Sequence, residues 1–341
     1  MFKRLAIFAF LACAASPAYG QLDKVFSNKG GQPVQGTVTA ITKDVVTVDM
    51  GGVPRQFQVN EIARITFADE PNELNNARNA VAQQNYNLAL TELGKIAAPS
   101  TTAINSDIAY YKALCGARLA MTEGGNKAQA ATDLLNWVRG NANSHHFYEA
   151  AEILGDLAIA DGKFADAAKY YKGLAAAPWA DYQMRANNSV ARALVAQKDF
   201  AGALQSYEAV LSNPQTSAEA NQQKLLAAVG KGLCLGETGQ PDQGVAMLLD
   251  IIAKNDPQDT QLFARCYNAL GNCYIKLNKP KDALQAFLHT DILFYADADC
   301  HAEALYRLSK LWNDVNKSDR AVAARNTLRD RYPGTIWNTL E

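Results

Sequence analysis

The stretch Tyr267-Asn268-Ala269-Leu270-Gly271-Asn272-Cys273-Tyr274, followed by Ala283 and Phe287, decides the fold. Its aromatic, aliphatic and small residues recur at helical spacing, and Asn278-Lys279-Pro280 breaks the run as a turn between two helices. The layout repeats outward from there. A small residue early in each second helix falls at Ala89, more loosely near Ala130, then at Ala167, Ala203, Gly244, Ala283 and Ala321, with spacings of 36, 41, 39 and 38 from Ala167 on. Turns at Gly162-Lys163-Phe164, Lys198-Asp199-Phe200 and Gly239-Gln240-Pro241 divide the other units in the same way. A fixed period of this size marks a repeat array, and seven helix pairs fit residues 70–341.

Packing explains the pattern. Gly271 and Ala283 are placed where the two helices of a unit cross, so a larger side chain at either would cost roughly 1 to 3 kcal/mol. Tyr274 and Phe287 fill the space between units. Alanine, 59 of 341 residues, suits closely approaching helices. One helix pair cannot bury its apolar face alone, so the expectation is an open, curved α-solenoid with a concave surface.

These residues resemble the tetratricopeptide repeat, which has a large aromatic, Leu-Gly, Tyr, a small Ala and an aromatic in that order. Leu154-Gly155, Ala167, Tyr171 and Pro178 form a third unit of that kind, and Ala191, Leu194, Ala203, Tyr207 and Pro214 a fourth. The last unit, Leu305-Tyr306-Arg307-Leu308-Ser309 with Trp312, Ala321, Leu328 and Tyr332-Pro333-Gly334, resembles the ending common in bacterial envelope repeat proteins. The resemblance runs from about residue 72 to residue 333. Two departures stand out: the period exceeds the family's usual ~34, and the first two units lack the Gly. Longer inter-repeat turns account for the first, capping-like terminal units for the second.

In this family the first helix of each unit lines the groove. Carried onto this chain, the resemblance implies inward positions at Arg265, Asn268 and Asn272, at Arg185, Asn188 and Arg192, and at Lys310, with apolar Val229 and Leu233 between them. Arg and Asn on one wall resemble a carboxylate clamp, in which cationic and amide donors hold a partner's backbone and acidic terminus. Glu149, Glu152 and Asp156 would make the other end of the groove acidic. The groove would then suit an extended peptide of matching polarity.

The N-terminal part reads differently. Residues 1–20 carry Lys3 and Arg4, an apolar run from Leu5 to Ala15, and Ala18-Tyr19-Gly20 before Gln21, the layout of a cleaved export signal. The alternative is a lipoprotein box at Phe10-Leu11-Ala12-Cys13, with a lipid tether on Cys13. The mature chain has 31 Lys+Arg against 34 Asp+Glu. Residues 21–69 contain short β-branched runs, Lys24–Phe26, Gln35–Ile41, Val45–Met50, Arg55–Val59 and Ile62–Phe67, separated by Gly30-Gly31, Thr42-Lys43-Asp44 and Gly51-Gly52. So small a sheet covers its edges best by curling, and the segment is similar by pattern to SH3-like or Sm-like small β-barrels. Its five Lys/Arg against five Asp/Glu, six with the adjoining Glu70, favour docking over RNA binding.

Several function classes drop out. A chain with 33 Lys+Arg against 34 Asp+Glu lacks the basic excess of a nucleic-acid binder. There is no G-x-S-x-G, H-E-x-x-H, P-loop or calcium loop. Gly230-Lys231-Gly232-Leu233-Cys234-Leu235-Gly236 has its third glycine one place late for a dinucleotide loop and reads as a helix-crossing cluster. His145-His146 and Cys300-His301 sit at helix starts, where surface or capping roles are expected rather than metal ligation. Cys115, Cys234, Cys266, Cys273 and Cys300 form no C-x-x-C pair and read as small apolar filler, with a Cys234–Cys273 bridge the alternative. No cofactor, metal or catalytic residue is expected. The reading is an exported, non-enzymatic scaffold of the periplasm or cell envelope that binds a protein or peptide partner in its groove. The alternative is recognition of cell wall or polysaccharide, which would need aromatic residues in the groove, where Tyr306 alone is placed.

Overall fold

The computed structural model describes residues 21–97 and 101–340; the export segment and Cys13 lie outside them. Five strands come first: β1 (Asp23–Ser27), β2 (Val34–Ile41), β3 (Val45–Asp49), β4 (Pro54–Gln58) and β5 (Ile62–Thr66), with a 3-10 turn Val59–Glu61 before the last. They pair antiparallel in the order β4-β3-β2-β1-β5. The first half of β2 pairs with β1 and the second half with β3, and a register shift between Val38 and Ala40 bends the strand there. Asp23 ties β1 to β2 and to the loop that leaves β5, accepting hydrogen bonds from the N–H groups of Val38 (2.7 Å) and Ala68 (2.8 Å).

The expected closed barrel is not what forms. β4 and β5 remain as free hydrogen-bonding edges, so the sheet is open. The helices supply the cover that closure would have given: Val25, Val46, Val48 and Ile65 share one buried cluster with Leu74, Ala77 and Ile153 of the array. The turn after β2 also reaches the third unit, where the Tyr148 hydroxyl donates to Asp44 (2.7 Å) and Lys43 lies 5.3 Å from the Phe147 ring centroid. Asn60 donates to Asp181 at the start of the fourth unit (3.3 Å).

Fourteen helices follow among the described residues, in seven antiparallel pairs: α1 (Asn72–Ala82) with α2 (Tyr86–Gly94), α3 (Thr102–Thr122) with α4 (Lys127–Gly140), α5 (Phe147–Ala160) with α6 (Phe164–Ala175), and α7 (Ala180–Ala196) with α8 (Phe200–Leu211). Then come α9 (Ala218–Glu237) with α10 (Pro241–Lys254), α11 (Thr260–Lys276) with α12 (Pro280–Leu293), and α13 (Ala298–Asp314) with α14 (Ser318–Arg331). Side chains of Asn85, Asn126, Asp199, Ser217, Asp259 and Asp297 accept the N–H three residues on, closing the helix starts. The long period comes from helix length as well as turns, since α3 has 21 residues and α9 has 20.

The crossing glycine behaves as expected. A Cβ on Gly271 would stand 2.5 Å from the ring of Phe287, itself fully buried. Gly230 and Gly232 are likewise crossing positions, against Tyr207 and Leu248, and not a nucleotide loop. The five described cysteines are free and buried, and burial pushes the thiols of Cys115, Cys234 and Cys266 up to about 12. The Cys234–Cys273 bridge is absent.

The array is not open. Its last segment returns to the second unit: the Gly334 N–H donates to the Thr122 carbonyl (2.9 Å), and a Cβ on Gly334 would stand 2.5 Å from the Gly124 nitrogen. Seven units therefore complete a turn and touch. The backbone approach at Gly124 leaves room for no side chain at Gly334.

Candidate binding groove

The first helices of successive units, α5, α7, α9, α11 and α13, pack side by side. Residues three, four and seven apart on each share one face, which puts Glu149, Glu152 and Asp156 of α5 opposite Arg185 and Arg192 of α7. Arg185 forms an ion pair with Glu152. Arg192 Nη2 lies 3.2 Å from Asp156 Oδ1 and donates to the Ser189 hydroxyl (3.0 Å). Arg118 Nη1 stands 3.6 Å from the other Asp156 oxygen, and the Tyr171 hydroxyl donates to Oδ1 (2.8 Å). The nearby Glu152 and Asp156 charges outweigh burial and raise both arginines above their usual range.

The expected separation into an acidic end and a donor end therefore does not occur. The inward residues of one unit face those of the next at pairing distance, so acids and donors of units three and four neutralise each other. The amides follow the same rule. Asn188 donates to the carbonyl and side-chain oxygen of Gln223 (2.9 Å each); Asn268 donates to the Cys300 carbonyl (2.8 Å) and to Glu303 (3.0 Å); Asn272 donates to Glu303 (2.9 Å). All three asparagines are buried and span neighbouring units. Val229, expected on the wall, is packed in the core instead, and Leu233 is half-buried.

Two of the expected donors differ from the rest. Among the described residues, Arg265 and Lys310 have no carboxylate within ion-pairing distance; Arg265 is half-buried, while Lys310 is exposed with its ammonium 5.5 Å from the Tyr306 ring centroid. Around them lie acids that the sequence did not point to. The N–H of Cys300 donates to Asp297 (3.0 Å), the cap of α13. Burial opposes the Asp297 charge, but Arg265 and that N–H outweigh it and hold the carboxyl below its usual range. Asp299 goes the other way, pushed up to about 6 by confinement and then by the charges of Asp297 and Glu303, although Trp337 Nε1 donates to it (3.1 Å). Tyr306 is covered by Trp337, with ring centroids 5.8 Å apart, so it offers no open aromatic platform.

The histidines depart from the expected surface role, although His146 does stand at the N-cap of α5, its carbonyl accepting from the Ala150 N–H. His301 is buried between Tyr332 (2.8 Å from Nδ1) and Asp291 (2.8 Å from Nε2). His146 is buried too, stacked on Tyr110 with centroids 3.9 Å apart. Neither is a surface group. No signal in the sequence announced this cover, because Tyr110 and Asp291 come from neighbouring units and Tyr332 lies beyond α14, 31 residues from His301.

No family model matches the sequence and no curated protein is similar to it. Solved structures do match. The Rap protein complexed with Competence and Sporulation Factor is similar at a TM-score of 0.50 and 14% identity, over 75% of this chain and 74% of that one. A tetratricopeptide repeat protein from Parabacteroides merdae ATCC 43184 gives 0.49 and 14% identity, over 76% and 92%. The likeness to the Rap protein shows the fold alone, here an array of antiparallel helix pairs. No helix among the described residues is long and apolar enough to cross a membrane.

Proposed function

We propose that this chain is an exported, non-enzymatic interaction scaffold of the cell envelope that holds an extended, acidic protein segment in its concave groove. The observation that carries this reading is the pair of cations that make no direct ion pair, Arg265, which acts on Asp297 only from a distance, and Lys310, on the faces of α11 and α13 taken as inward. A partner carboxylate would complete them, while Asn268 and Asn272, held by Glu303, keep the wall between them rigid. Arg185, Asn188 and Arg192 contribute as a pre-ordered wall whose partners in the free protein are Glu152, Gln223 and Asp156. The similar Rap protein is solved with a bound factor, which supports the same architecture serving as a receptor. Export rests on residues 1–20, and the open sheet adds a surface that docks on the third and fourth units.

The test is in-cell photo-cross-linking of the full-length chain, with the cross-linker placed at Gln261 in the groove or at Lys169 on α6, and with fractionation of the same cells. A partner captured from Gln261, lost in Arg265→Glu and Lys310→Glu variants of unchanged helical content, and found in the envelope fraction supports the proposal. Capture from Lys169 alone, or a fully cytosolic chain, refutes it.

A further inference from the structure

The strongest unexplained cluster lies outside the groove, where α3 meets the turn leading into α5. One ligand-type atom each from Asp107, His145 and His146 falls within 4.8 Å of the others. Asp107 and His146 are almost wholly buried, at 2% and 8% exposure. His146 Nε2 faces Asp107 Oδ1 at 3.5 Å and has no hydrogen-bond partner.

That distance is informative. An imidazolium clamped between carboxylates makes charge-assisted bonds of about 2.7 to 2.9 Å, yet His146 stands 3.5 Å from Asp107 and 3.6 Å from Glu149. Two ligands of one tetrahedral zinc ion, each bound at about 2.0 to 2.2 Å, sit roughly 3.3 to 3.5 Å apart. The Asp107–His146 spacing is that of co-ligands, and a His145 nitrogen lies within 4.8 Å of both. We propose that Asp107, His145 and His146 bind one divalent transition-metal ion of the zinc type.

The surroundings fit such an ion. Arg78 Nη2 takes the other Asp107 oxygen at 2.7 Å and so aims Oδ1 at the histidines, while its Nη1 is held by Glu70 at 2.7 Å. Glu149 stands on the far side of His146, at Nδ1, the position of the outer carboxylate that orients a metal-bound imidazole. Tyr110 stacks on the ring at an interplanar angle of 11° and fixes its plane. Glu70 and Asp107 against Arg78 leave one negative charge beside neutral imidazoles, and Glu149, partly offset by Arg185, adds to it, an excess that a divalent cation offsets. His145 is only half-buried and provides the way in. Two imidazoles and one carboxylate suit zinc better than magnesium or calcium, which prefer oxygen ligands. Three protein ligands leave a coordination position for water.

The experiment uses the full chain, stripped with chelator and titrated with zinc chloride by calorimetry, with metal content by mass spectrometry and cobalt substitution as a spectroscopic probe. One ion per chain is expected. His145→Ala, a change at a half-exposed position, should weaken binding at least 100-fold, Glu149→Gln by about 10- to 100-fold, and His289→Ala not at all. Circular dichroism of each variant confirms the fold. No binding tighter than roughly 10 μM, zinc affinity unchanged in folded His145→Ala, or a thiolate-to-cobalt band showing cysteine ligation would overturn the proposal.

Discussion

Replacing the buried Arg78 by Met should destabilise the protein strongly. The guanidinium holds two carboxylates, Glu70 at 2.7 and 2.8 Å and Asp107 at 2.7 Å, with all three side chains at most 4% exposed. Glu70 belongs to the loop after β5, Arg78 to α1 and Asp107 to α3, so one side chain joins the sheet to the first two units. Methionine preserves much of the volume and removes only the charge. Two carboxylates would then remain in the interior, one with only the Phe67 N–H (3.0 Å) as a remaining donor. Leaving a buried charge without its partner costs about 3 to 5 kcal/mol, a large share of the roughly 5 to 15 kcal/mol that holds a domain folded. Urea unfolding followed by circular dichroism and tryptophan fluorescence reads the change. Repeat arrays can unfold in parts, so the loss is expected in the earliest transition. A triple variant, Glu70→Leu with Arg78→Met and Asp107→Leu, removes the charges together and should be more stable than Arg78→Met alone. A loss below about 1 kcal/mol for Arg78→Met, or a triple variant weaker than the single one, would refute the argument.

Three further outcomes are expected. Gly271→Ala gains up to about 1 kcal/mol of helix propensity but meets the Phe287 ring, and overpacking of about 1 to 3 kcal/mol should win; the double variant with Phe287→Leu recovers part of the loss, and additive effects in denaturant would show that the contact is not shared. Gly334→Leu should separate the last unit from the second, seen as a larger radius of gyration by X-ray scattering with helical content retained; an unchanged radius would mean the array is held closed elsewhere. Asp299 faces Asp297 and Glu303 on its own helix, Arg265 on α11 and the Trp337 indole, and its carboxyl is raised to about 6. The folded state therefore binds that proton more tightly than the unfolded chain, so the contribution to stability is present below about pH 4 and lost as pH rises through 6. Asp299→Asn should accordingly raise the melting temperature at pH 7.5 and not at pH 4, by less than about 1 kcal/mol because solvent reaches the side chain; a gain at both pH values would assign the effect to something other than the charge.

The helix pairs were legible because their cause is local. Turn residues such as Asn278 and Gly239, the caps at Asp259 and Asp297, and the small-aromatic spacing at Gly271 and Phe287 act within one unit of about forty residues, and every unit states the rule again. The nomination of Arg185, Asn188, Arg192, Arg265, Asn268, Asn272 and Lys310 as inward positions followed from the same register. Their chemical state did not. Whether Arg192 is a free donor or the partner of Asp156 depends on how α5 and α7 align, and that is set by packing between units 36 residues apart.

Sequence alone thus determined the repeat, its direction, the β-rich start and the absence of known catalytic motifs, since periodicity and turn chemistry are short-range. Only the tertiary structure decided that the sheet stays open because the helices cover it, that the array closes at Gly334, and that Asp107, His145 and His146 meet. Each of those depends on the curvature summed over several units, a small rotation per repeat that no single stretch of residues encodes.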